Sequence, residues 1–360
     1  MSARRVAWLL AAGLAVIAFA IWLSSRRHLE RDMAAGALVL PGLHQDVNAV
    51  TTVTLRKGDG THATLLKDGS VWRVQERGWT ADVGKVRKLL LDLGALNIVE
   101  EKTRLPANYP QLGVEDVSSP KATGTRVDIA APGRTWAIII GKPSGGKSGY
   151  VRVATAPQSL LAAPLLFVDS DPKGWLDHPL LDVPVARIRQ VEEHPASGAS
   201  FTVSRDKKEQ ADFAVSPLPK GRELTSASAA EPIATALGSL SLDDVRKGPG
   251  TTDPPAARAT YHTFDGLEIE LTGRKDGTHS LIAIAARSTA KETAAEAEQL
   301  AARLTGWEFE IPDYKYNAIF TPLEELMRKP PMPAPSKKPA GAQKKAGATT
   351  QPAGDDIISK

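Results

Sequence analysis

The residues with the most chemical promise lie between Trp136 and Val153. Gly141 to Ser148 reads Gly-Lys-Pro-Ser-Gly-Gly-Lys-Ser. That spacing fits a phosphate loop, in which a lysine reaches the β- and γ-phosphates and a serine hydroxyl meets magnesium. Such a loop must open a helix, whose N-terminus supplies the amides and the dipole that hold the phosphates. Here Ser148 is followed by Gly149-Tyr-Val-Arg-Val153, alternating and β-branched, with Pro157 close behind. The pattern predicts a strand, and so a β-hairpin whose glycine-rich turn carries Lys147 and Ser148.

Other candidates meet similar objections. Leu165-Leu-Phe-Val-Asp169 imitates the strand and aspartate that bind magnesium in phosphate-loop enzymes, but it starts too soon after Ser148 to leave room for the loop's own helix. Asp169 is expected to start a turn. Asp169-Ser-Asp171 with Gly174 imitates a calcium loop, yet Lys173 and Leu180 stand where oxygen ligands belong. None of the seven histidines pairs with another at i,i+4, and Glu192-Glu-His194 reads as an exposed cluster at a strand end. Gly146-Lys-Ser-Gly-Tyr150 lacks the final glycine of a hydrolase elbow. Trp72, Trp136 and Trp307 sit in strand patterns and read as core, with a sugar-stacking platform as the functional alternative. The sequence therefore assigns no catalytic residue, no cofactor-binding residue and no metal ligand.

Composition narrows the classes further. The chain has 360 residues and no cysteine, which removes disulfides and thiol chemistry. Its net charge is +4, but residues 1–31 carry +4 and residues 330–360 carry +3, leaving −3 for residues 32–329. The positive charge belongs to the ends, and the mildly acidic body gives no reason to expect a nucleic-acid partner.

The elements that must position any site follow from patterning. Val6 to Leu23 is an unbroken apolar run between Arg4-Arg5 and Arg26-Arg27, with Trp8 and Trp22 near its ends. It predicts an uncleaved transmembrane helix. The domain reading is a membrane anchor over 1–28, a linker over 29–41, a first unit over 42–181, a second over 182–329, and a disordered Pro/Ala/Lys tail over 330–360. In the first unit, strands are expected at Val50–Leu55, Thr61–Lys67 and Val71–Val74. Val83, Val86, Leu89, Leu90 and Leu93 mark a helix capped by Thr80 or Asp82. The second unit can be aligned on the first: Asp212-Phe-Ala-Val215 with Val71-Trp-Arg-Val74, and Ala236-Leu-Gly-Ser-Leu240 with Asp92-Leu-Gly-Ala-Leu96. This predicts an internal repeat. The fold class expected is α+β: an N-terminal transmembrane helix followed by two tandem copies of a mainly antiparallel sheet-plus-helix unit.

Several stretches carry a family resemblance: Leu40-Pro-Gly-Leu43, Gly69-Ser-Val-Trp-Arg-Val74, Tyr109-Pro-Gln-Leu-Gly-Val114, Ile140-Gly-Lys142 with Tyr150-Val-Arg-Val153, and Trp307-Glu-Phe-Glu-Ile-Pro312-Asp-Tyr314. The layout resembles bacterial membrane-anchored proteins that share a domain of unassigned function and occur beside ABC-type transport or gliding-motility auxiliary components. The resemblance covers roughly residues 1–328 and implies no catalytic residues and no cofactor. It implies a body in the periplasm, attachment to the inner membrane through residues 6–23, and protein partners in a transport or envelope complex. The expected function is thus a non-catalytic accessory or scaffold protein. A glycan- or cell-wall-binding module is the alternative, and a nucleotide hydrolase using residues 141–148 stands third.

Overall fold

The computed structural model describes residues 35–248 and 257–328, with Val16 and Phe19 as isolated positions before them. Nineteen strands are described. In the first half they are β1 (Thr52–Lys57), β2 (His62–Asp68), β3 (Val71–Val74), β4 (Trp79–Thr80), β5 (Asn97–Glu101), β6 (Thr125–Ala131), β7 (Arg134–Pro143), β8 (Gly149–Val153) and β9 (Ser159–Ala163). Then come β10 (Pro179–Leu181), β11 (Ile188–His194), β12 (Phe201–Ser204), β13 (Ala214–Ser216) and β14 (Leu240–Ser241). The last are β15 (Asp244–Lys247), β16 (Ala257–Thr263), β17 (Leu267–Asp276), β18 (His279–Ser288) and β19 (Trp307–Glu310).

They form a nine-stranded sheet in the order β4-β3-β2-β1-β6-β7-β8-β9-β5 and an eight-stranded sheet in the order β13-β12-β11-β16-β17-β18-β19-β15, with β10 and β14 paired separately. Hairpin chemistry sets much of this order. Gly60, Gly69 and Gly133 adopt left-handed conformations in the turns that join β1 to β2, β2 to β3 and β6 to β7, a geometry glycine adopts without the penalty of a Cβ. Alternation then sends Val53, Leu55, Leu65, Val127 and Ile129 to the interior of the first sheet, and Val191, Tyr261, Ile269 and Leu271 to that of the second. The helix Val83–Gly94 buries Val86, Leu89, Leu90 and Leu93 at i, i+3, i+4 and i+7, and Asp82 caps it by accepting from the Lys85 amide. The helix Ala294–Leu304 packs on β17 and β18. One continuous core runs through both halves.

Three expectations need correction. No helix among the described residues is long and apolar enough to cross a membrane. Residues 6–23, where the single-pass transmembrane helix was placed, lie outside the described residues apart from Val16 and Phe19; the tail 330–360 lies outside them entirely. The α+β assignment gives way to a mostly antiparallel-sheet protein with few helices, because hairpin pairing takes up most of the chain. The internal repeat also fails as stated. The two sheets follow a similar strand order, but they are not copies of one sheet-plus-helix unit. The first has nine strands and a twelve-residue helix at Val83–Gly94, whereas the helix in the corresponding place, Glu231–Thr235, has five residues. The edge strand β4 belongs to the first sheet, while β14 leaves the second to pair with β10. Alternating β-branched stretches look alike in any strand-rich chain, and that likeness exaggerated the correspondence.

Candidate functional site

A cleft of about 460 Å³ lies where the two halves meet. Its first wall is the turn between β3 and β4. Arg77 and Gly78 both donate backbone hydrogen bonds to the Val74 carbonyl, and Gly78 turns the chain through a left-handed conformation. This presents Glu76 and Arg77 to the second half. The opposite wall is the edge strand β15, held on β19 with Asp244 opposite Glu310 and Arg246 opposite Glu308. Because side chains alternate along a strand, these four fall on one face.

The charges across the cleft are spent on each other. Arg77 donates to Asp244 in bidentate fashion, Nε to Oδ1 at 2.6 Å and Nη2 to Oδ2 at 3.1 Å. Lys173 Nζ lies 3.2 Å from Asp244 and 4.0 Å from Glu310, and His279 Nδ1 sits 2.8 Å from Glu310. Glu308, almost fully buried, receives Nε of Arg246 and Nε of Arg274, each at 2.8 Å. Burial alone would raise the Asp244 and Glu308 carboxyls, but the arginine hydrogen bonds outweigh it and hold both below their ordinary values. Asp243 goes the other way, raised by burial and by the neighbouring Glu310.

Below the charges the junction is aromatic. Trp79 packs edge-on against Trp307 and Phe309, with centroids 5.3 and 5.2 Å apart, and its indole donates to the Asp177 carbonyl. Lys247 lies 4.1 Å over the Trp307 ring. Chemically the arrangement is a clasp, in which acids and bases neutralise one another above an apolar seam.

The residues singled out in the sequence are scattered rather than gathered. Gly141 lies within β7, and β7 and β8 pair antiparallel across residues 144–148, so the chain after Lys147 is strand. Lys147 is exposed, and Gly145 and Gly146 carry the left-handed turn. Gly141 serves a different purpose: a Cβ there would stand 2.4 Å from the Leu112 carbonyl and 2.8 Å from Val114 Cγ1, so it permits close approach of the segment 109–114. Asp169 and Asp171 each cap their own turn, accepting from the amides of Asp171 and Lys173 at 2.9 Å. Among the described residues no group of three or more His, Asp and Glu side chains could hold a metal ion.

One residue of the Glu192-Glu-His194 cluster was misplaced. Glu193 faces the interior, 1% exposed, and neither carboxylate oxygen has a hydrogen-bond partner. Burial pushes its carboxyl up to about 9. Alternation from the buried Val191 was the available signal. His262, on the outer face of the same sheet, stands between Glu192 at 3.5 Å and Glu268 at 3.6 Å, but it addresses them through different ring nitrogens. Trp72 is buried, while Trp136 and Trp307 are half-buried. Trp136 donates to the Pro41 carbonyl and lines a second cleft of about 460 Å³.

Two antiparallel sheets on one core, clasped by ion pairs, define a β-rich body with a cleft at the junction of its halves. The family model described as a domain of unknown function, DUF4340, matches residues 72–261. That is more than half of the chain, which therefore belongs to this family. The match runs from β3 to β16, so the family unit includes Arg77, Lys173 and Asp244 of the clasp. No curated protein and no solved structure matches the chain.

Proposed function

We propose that this chain is a non-catalytic accessory or scaffold protein of a bacterial envelope assembly, of the ABC-type transport or gliding-motility auxiliary kind, with its body on the periplasmic face of the inner membrane. The observation that carries the reading is the state of the junction cleft. Its central ionisable groups are engaged by opposite charges: Arg77 of the first half with Asp244 of the second, which ties the two sheets together, and Arg246 and Arg274 with Glu308 inside the second sheet. A catalytic site needs an acid, base or nucleophile held ready for substrate, with a pKa suited to the task. A scaffold needs a rigid body with large surfaces, and two sheets on one core supply that.

The test is fractionation followed by protease treatment of spheroplasts. The proposal expects the chain with the envelope fraction and degraded by protease added from outside. Recovery in the cytosolic fraction, protected until lysis, would overturn it.

A further inference from the structure

The second half carries a cleft of its own, about 490 Å³, between β16 and β17 on one side and the helices Asp313–Ile319 and Leu323–Leu326 on the other. Small residues open its floor. Ala257 of β16 lies opposite Gly273 of β17, and a Cβ on Gly273 would collide with the Phe320 ring, so the glycine lets that ring settle on the strand. Alternation puts Lys275 on the same face as Gly273, while Arg274 between them turns its guanidinium away to Glu308. Tyr316 stands beside Phe320, their ring centroids 4.8 Å apart, and both line the cleft.

Three polar groups of this cleft are left over by the fold. Tyr316 is 7% exposed, yet its hydroxyl makes no hydrogen bond among the described residues and is not sealed from solvent. A buried tyrosine ordinarily finds a partner, as Tyr261 does by donating to the Ile233 carbonyl. Burial raises the Tyr316 phenol, which keeps it a donor. Lys275 Nζ lies 5.2 Å from the Tyr316 ring centroid and donates to Asn317 Oδ1 at 3.3 Å, with no carboxylate at ion-pair distance among the described residues. Glu325, in the helix Leu323–Leu326, likewise has no cationic partner among them. One cleft therefore presents an unspent positive charge, an unspent negative charge and a free donor around an apolar floor. A simple anion would have Glu325 against it, and a simple cation would have Lys275 against it. A ligand carrying both charges meets each with its opposite. The volume lies in the range of small-ligand pockets.

We propose that this cleft binds a small zwitterion with an apolar side chain, an α-amino acid or a dipeptide. Its carboxylate accepts from Lys275 Nζ and the Tyr316 hydroxyl, its ammonium faces Glu325, and its side chain lies against Phe320 and Ala257. The site stands apart from the clasp and does not depend on the scaffold reading. Calorimetric titration of the full chain with phenylalanine, leucine, alanylphenylalanine and alanylleucine tests it. Saturable binding of at least one is expected, weakened at least tenfold in Lys275→Met and about fivefold in Tyr316→Phe, which removes only the hydroxyl. The N-acetylated and the amidated forms of the tightest ligand should each bind at least tenfold more weakly than the zwitterion. Tighter binding of the amino acids or of the dipeptides supports the site either way and names its ligand. No saturable binding of any of the four by the wild type would overturn the site. Binding that both variants leave unchanged would overturn it as well. An N-acetylated form that binds as tightly as its parent would overturn the zwitterion assignment and the role of Glu325.

Discussion

Replacing Glu193 with leucine should stabilise the protein by an amount that grows with pH. In the folded chain both carboxylate oxygens are buried and unpartnered, and burial raises the carboxyl from 4.5 to about 9. In the unfolded chain it titrates near its ordinary value. The folded state therefore holds one more proton than the unfolded state between those two values, and stability must fall as pH rises through that window. The contribution is fully present below about 4.5 and is lost progressively up to about 9. The slope is ~1.4 kcal/mol per pH unit, so wild type should lose about 4 kcal/mol from this group between pH 5 and pH 8. Asp177 and Asp243, also raised chiefly by burial, titrate in both proteins and drop out of the difference. Urea denaturation of wild type and Glu193→Leu, followed by tryptophan fluorescence at each pH, gives that difference directly. The variant's advantage should be small near pH 5 and several kcal/mol at pH 8. A difference that stays flat with pH would refute the reasoning, because it would mean that Glu193 finds a partner or water when it ionises.

The remaining predictions concern the clasp and the hairpin. Arg77→Ala leaves Asp244 with Lys173 alone; as the pair is largely but not fully buried, the cost should be about 2 kcal/mol. A double-mutant cycle with Asp244→Ala should give a coupling energy of about 1–2 kcal/mol, and additive effects would contradict the clasp. Gly141→Val should destabilise by about 3 kcal/mol, since its Cβ collides with backbone that cannot easily yield; a neutral result in thermal denaturation would count against the close approach. Lys147→Ala should change stability by under about 0.5 kcal/mol, and calorimetry with magnesium should find no saturable ATP binding. Micromolar ATP binding that disappears in Lys147→Ala would restore the phosphate-loop reading.

What could be read from the sequence was local. The alternation from Tyr150 to Val153 separates a hairpin from a phosphate loop, and the spacing of Val86, Leu89, Leu90 and Leu93 marks their helix. The junction could not be seen in this way. Arg77 meets Asp244 from 167 residues away, and Trp79 meets Trp307 from still further along the chain. No periodicity encodes such pairs, because they depend on how two sheets are set against each other. Gly141 shows a subtler limit: in the sequence it opens the glycine-rich Gly141–Ser148 stretch, whereas the structure places it within β7 and uses its missing Cβ for close packing. Glu193 was legible in principle, but an acidic pair beside a histidine at a strand end reads as surface unless the register from Val191 is followed strictly.

The central claim is that this body is a scaffold working through protein partners. Chemical crosslinking in intact cells, followed by affinity isolation of the chain from solubilised membranes and mass spectrometry of what accompanies it, tests that claim most directly. The account predicts stoichiometric recovery of components of one transport or envelope assembly, with crosslinks on the outer surfaces of the two sheets. Recovery of the chain alone, from cells in which known envelope complexes crosslink efficiently, would contradict it.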